Sequence, residues 1–201
     1  MLPLIFRMAL PAIAAQLVNL LYSIVDRIYI GHIPEIGTQA LAGVGVTSSI
    51  IILISSFSAI VGAGGSPLAA IALGQGDRVH AGKILGNGFI LLVIFTLITS
   101  LTTYLFMRPL LFLTGASEQT IGYAVDYLSV YLLGTLFVEL SVGLNTFINT
   151  QGRPAIAMCS VLIGAILNIL LDPLFIFAFG LGVKGAALAT ILSQACSCLL
   201  Y

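Results

Sequence analysis

Residues 167–177 read LNILLDPLFIF and place an amide, Asn168, and a carboxylate, Asp172, four positions apart in a run otherwise made of hydrocarbon. On a helix that spacing turns both side chains to one side. Pro173 follows directly, and in a helix its ring clashes with the Ile169 carbonyl and deprives that acceptor of its donor. An acid, an amide and a freed carbonyl at one depth could hold a proton or a small cation. A polar side chain such as Asn168 can also serve as interhelical glue and nothing more. Asp172 is harder to read that way, because burying its charge in hydrocarbon is costly.

The elements that must position these groups are membrane helices. Of the 201 residues, 60% are hydrophobic and 7% charged, against about a quarter charged in an ordinary soluble domain. A mean hydropathy of +1.18 and repeated apolar runs fit helices of about 20 residues crossing roughly 30 Å of hydrocarbon. The runs are too long for barrel strands and lack their alternation. Seven basic and seven acidic side chains cancel, leaving no footprint for nucleic acid. Cys159, Cys196 and Cys198 follow neither a disulfide nor a zinc spacing, and the first apolar run has no small-residue cleavage motif. VGAGGS lacks the lysine and strand of a phosphate loop. No His, Cys or acid set stands at catalytic spacing, so an enzyme is not expected.

Six hydrophobic segments follow in order, at about residues 4–30, 39–61, 84–107, 120–148, 155–179 and 186–201. The first contains Pro11, expected to kink it, and ends near Asp26, which is either a cluster residue or a surface partner of Arg27. The second stays apolar to about Leu73, but Gly62, Gly64, Gly65 and Pro67 predict a break into a kink or short interfacial piece. GQGDRVHAGK reads as a solvated, cytoplasmic loop. Ser117 stands as a candidate cap for the fourth segment, beside Glu118. That segment carries Asp126 at its start and Glu139 thirteen positions on; Glu139 reads as a polar interhelix contact or a second proton-active group. The sixth segment stops after about 16 residues, short of a full span, and is expected to be the cut last helix of a longer polypeptide.

Lysine and arginine weakly favour a cytoplasmic N-terminus, with the Arg78–Lys83 loop carrying most of the bias. In that orientation, with Arg7 on the cytoplasmic side, Asp26, 19 positions after Arg7, Asp172, 19 after Arg153, and Thr190, six after Lys184, all fall in the outer half of the bilayer. Segments one, five and six can then meet at one acidic pocket. Two carboxylates sharing it repel each other, and a bound proton or cation relieves that repulsion. Asn168 and the Thr190 hydroxyl add neutral oxygens suited to a hard cation.

VDRIYIGHI, GQGDRVHAGK, NTQGRPAIA and NILLDP with GVKGAALAT, in that order, make the chain resemble the N-terminal half of a multidrug and toxin extrusion (MATE) transporter. The resemblance implies an all-α, polytopic fold: a six-helix bundle forming one lobe of a twelve-helix protein, its sixth helix truncated. It implies that Asp26, Asn168, Asp172 and Thr190 form the H⁺ or Na⁺ coupling site, and that Pro11 is where the first helix bends. No cofactor other than the coupling ion is implied. The expected function is antiport, exporting amphipathic or cationic compounds against H⁺ or Na⁺ from a multi-pass position in the plasma membrane. Expected partners are the lipid bilayer, those substrates, and the absent C-terminal six-helix half or a second copy. A lipid or oligosaccharide-carrier flippase of the same superfamily is the alternative, as is a six-helix membrane interaction protein that transports nothing.

Overall fold

In the computed structural model the described residues are 2–200, with side chains described from residue 9 onward. The Arg7 side chain, used above for topology, lies outside that set. Seven α-helices follow one another: α1 (Leu2–Gly31), α2 (Gly37–Gly74), α3 (Arg78–Leu105), the short α4 (Met107–Leu113), α5 (Ile121–Thr150), α6 (Pro154–Pro173) and α7 (Val183–Leu199). A π-helical turn, Leu174–Ala178, extends α6. Five of these elements are long and apolar enough to cross a membrane, and α7 is a shorter apolar helix. The protein is therefore an all-α membrane protein whose six membrane segments are α1, α2, α3, α5, α6 and α7.

The helices pack as a bundle around α5, which lies against α2 and α7 most extensively, while α1 runs chiefly along α6. Large side chains such as Leu20, Leu97, Leu101 and Leu133 point outward, as they do where the surrounding solvent is hydrocarbon. The interior is built from small residues that let backbones approach. Gly185, near the start of α7, has its Cα against the carbonyl of Phe175 in the π turn, where an added Cβ would come within 2.7 Å. Between them the chain reverses through Gly180 and Gly182, at φ of 64° and 55°, values that favour glycine. Backbone bonds from Leu181 N to Phe175 O (3.1 Å) and from Gly182 N to Ile176 O (3.4 Å) close the corner.

Three expectations are corrected. The second segment does not break: α2 is one helix of 38 residues, about 57 Å long at helical rise, well beyond the hydrocarbon thickness. Gly62 and Gly65 act as packing sites, since Cβ atoms there would strike Thr146 and Phe147 of α5, and Pro67 lies on the exposed side. GQGDRVHAGK is mostly helical: Asp77 caps α3 by accepting from His80 N at 2.9 Å. Ser117 does not cap α5. Thr120 is the N-cap residue, and its hydroxyl accepts from Ser117 N at 3.0 Å. In addition, α1 remains helical through Pro11.

Asp126, near the start of α5, pairs with Lys184 of α7 at 3.3 Å, both about half-exposed. Exposed pairs contribute only about 0–1 kcal/mol. Lys184→Ala is accordingly expected to leave thermal unfolding within about 1 kcal/mol of the parent; a larger loss would show that this pair closes the bundle.

Candidate functional site

The sequence places Asn168 and Asp172 one helical turn apart, and α6 holds both on its inner face at 1% and 0% exposure. Asn168 Nδ2 donates to Asp172 Oδ1 at 3.3 Å and to Thr190 Oγ1 of α7 at 3.4 Å. The Thr190 hydroxyl donates in turn to Ala186 O at 3.0 Å, leaving its lone pairs turned to Asn168. Asp26 of α1 is 9% exposed and lies within the electrostatic reach of Asp172. Asn168, Asp172 and Thr190 are thus joined between α6 and α7, and Asp26 of α1 acts on them at longer range.

Hydrogen bonding explains only half of this cluster. Asp26 Oδ1, Asn168 Oδ1 and Asp172 Oδ2 are buried without a hydrogen-bond partner among the described residues. Buried polar oxygens are normally satisfied, so these three acceptors, two of them carboxylate oxygens, are places where a proton or a small hard cation could be held. Among the described residues no group of three or more His, Cys, Asp or Glu side chains comes together, so the chemistry is that of two carboxylates supplemented by neutral oxygens.

Two tyrosines belong to the site that the sequence reading left without a role. Tyr127 of α5 is 5% exposed, and its hydroxyl lies beside Thr190 and near Asp26. It stacks on Tyr131 with ring centroids 6.0 Å apart. Tyr22 of α1 sits near both carboxylates and beside Gln194. The available signal was the repeat Tyr123, Tyr127, Tyr131 at four-residue spacing, which sets three phenols along one face of a helix.

Toward the other end of α5 the bundle opens a cavity of about 470 Å³. Pro11, Gln16, Asn19 and Tyr22 of α1 line it on one side; Ser55 of α2, Tyr131 and Asn145 of α5, and Gln194 of α7 line the rest. Among the described residues that line it, none is charged. Beside the buried acid cluster, then, lies a second compartment lined by apolar side chains, amides and hydroxyls, and Tyr22 borders both.

Comparison with known proteins agrees with this architecture. Multidrug export protein MepA of Staphylococcus haemolyticus is 29% identical over 193 residues, covering 96% of this chain and 42% of the relative. A protein of Shewanella oneidensis named FAD transporter is 35% identical over 196 residues, covering 94% of this chain and 42% of the relative. The chain thus spans about two fifths of the length of these curated relatives. A solved structure described as MATE in the bent conformation shares the fold with a TM-score of 0.90 at 29% identity, over 98% of this chain and 43% of the other. The family model described as MatE matches residues 11–174, from Pro11 through the acid-bearing end of α6, and on that match this chain belongs to the MatE family.

Proposed function

We propose that this chain is the N-terminal lobe of a secondary active antiporter that exports amphipathic or cationic compounds in exchange for H⁺ or Na⁺. The observation that carries the reading is the set of buried oxygens of Asp26, Asn168 and Asp172 left without partners, with Asn168 bonded to both Asp172 and Thr190. An ion entering this set cancels the repulsion between the two carboxylates. It thereby favours the arrangement of α1, α6 and α7 that brings them closest. A ligand shifts such an equilibrium only by its differential affinity for the two states, and Asp26 sits on a different helix from Asp172, so a change in helix spacing changes the affinity directly. Pro11 lets α1 bend without sacrificing a backbone bond that it could not have made. A second six-helix half, in the same polypeptide or less favourably as a second copy, would complete the central cleft. The N-terminus faces the cytoplasm and the membrane is the plasma membrane.

The cavity suits an amphipathic substrate held by aromatic and amide groups, and among the described residues it offers no basic side chain to a phosphate-bearing lipid carrier. The Shewanella oneidensis relative named FAD transporter is the ground for a second reading, in which the substrate is an aromatic dinucleotide, although its pyrophosphate meets the same want of basic lining groups. One experiment tests both. The full-length protein is reconstituted in vesicles, proton and sodium gradients are imposed separately, and flux of an organic cation is compared with flux of FAD. Gradient-driven export of the cation is expected. Flux indifferent to both gradients would overturn the coupling mechanism, and FAD flux alone would decide for the second substrate.

A further inference from the structure

We propose that Glu139 is a second proton-loading site of the bundle, reached from the cavity through the Ser55 hydroxyl. It is separate from the Asp26–Asn168–Asp172–Thr190 cluster. Glu139 lies midway along α5, facing α2, and is 1% exposed. Ser55 donates to its Oε1 at 2.7 Å, and Ser58 also approaches the carboxyl. Oε2 is buried with no hydrogen-bond partner among the described residues. A static interhelix latch would use both oxygens, because each unsatisfied one is costly in this surrounding. A site that gains and loses a proton must instead keep one oxygen uncommitted.

Access comes from one side. Glu139 itself does not line the 470 Å³ cavity, but Ser55 does, so a single hydroxyl separates the carboxyl from a chamber roomy and polar enough to admit water. The step balances simply. Hydronium in the cavity gives a proton to Ser55 Oγ, and Ser55 gives its own hydroxyl proton to Glu139 Oε1. A neutral carboxyl, a restored serine and water result, and the reverse sequence discharges the site.

The surrounding groups leave Glu139 as the local titrating centre. On α5 the nearest is Tyr131, itself close to Tyr22 of α1; α2 presents only the two serines. The charged side chains of the other packed helices stand elsewhere. Asp172 of α6 is in the cluster, Lys184 of α7 pairs with Asp126, and Arg78, His80 and Lys83 occupy the first turns of α3. Cys198 of α7 lies beside Ser141. Glu139 lies twelve positions from Tyr127 along α5, about 18 Å at helical rise. The two carboxyl sites thus sit at different depths, with Tyr131 between them.

The test uses the full-length protein in vesicles with Asp26→Asn and Asp172→Asn both in place, so that its outcome does not depend on the coupling cluster. Infrared difference spectra between acid and alkaline pH should show a protonated-carboxyl band that Glu139→Gln removes. Ser55→Ala should shift that band and slow its appearance after a pH jump by about tenfold, the kinetic equivalent of one hydrogen bond to a charged group. Spectra that superimpose with and without Glu139→Gln would overturn the proposal. Should Glu139→Gln fail to fold, Ser55→Ala decides alone: a shifted band supports the site and an unmoved spectrum refutes it.

Discussion

Asp172→Asn in the full-length protein is expected to reduce gradient-driven export by about 5–150-fold, the range of a typical coupling free energy of 1–3 kcal/mol. The substitution changes little in shape. Asp172 Oδ1 accepts from Asn168 at 3.3 Å, and an amide oxygen in its place can do the same, so the α6 face should keep its packing. What vanishes is the charge. With Asp26 left as the only carboxylate in the cluster, there is no repulsion for a proton or cation to relieve, and ion loading no longer distinguishes one arrangement of α1 and α6 from another. Downhill flux of substrate, with no ion gradient imposed, should survive. Flux measured in vesicles with and without a gradient separates the two effects, and a variant that still concentrates substrate against its gradient would remove Asp172 from the coupling site.

Gly185→Val should destabilise the bundle by about 1–3 kcal/mol, and more if the corner cannot relax. An added Cβ would meet the carbonyl carbon and oxygen of Phe175 at 2.7 Å and the Ile176 nitrogen at 2.9 Å. These are backbone atoms, so no rotamer change makes room. The π turn must move away from α7, and it carries the end of α6 with it, which spreads Asn168 from Thr190. Thermal unfolding in detergent checks the energy, and Gly45→Ala, where a Cβ meets nothing within 4 Å, supplies the contrast with no expected loss. Equal melting of the two variants would show that the α6–α7 corner is not a close backbone contact.

The acid cluster was legible in sequence because its signals are covalent spacings. Asn168 and Asp172 share a helical face whatever the tertiary fold, and Asp26 and Thr190 could be brought to the same depth by counting from Arg7 and Lys184. The tyrosines were not legible in that way. Tyr22 and Tyr127 stand in apolar helices where an aromatic ring ordinarily means core packing, and only the meeting of α1, α5 and α7 gives their hydroxyls a role. The glycines of α2 failed for the opposite reason. Gly62, Gly64 and Gly65 with Pro67 look like helix breakers when neighbours are unknown, but Thr146 and Phe147 of α5 fill the space where side chains of residues 62 and 65 would stand. Propensity yielded there to packing. The separation of an acidic compartment from a neutral one likewise depends on which residues face each other, and that information is absent from a linear count of charges.

The cavity wall on α1 is made by Pro11, Ala15, Asn19 and Tyr22, and Asp26 follows them on the same face of the same helix. One stripe therefore serves both compartments. At its C-terminal end the helix is held by buried Ile30 and by the edge of Tyr29 against Phe177, with centroids 6.3 Å apart; toward its N-terminus, Leu10, Ile13, Leu17 and Leu20 lie open to the surroundings. A rotation of α1 by a fraction of a turn would withdraw its carboxylate from Asp172 and reshape the chamber wall in a single movement. In the proposed antiport, ion and cargo would need no relay of side chains between them, because they would bind to two lengths of one axle.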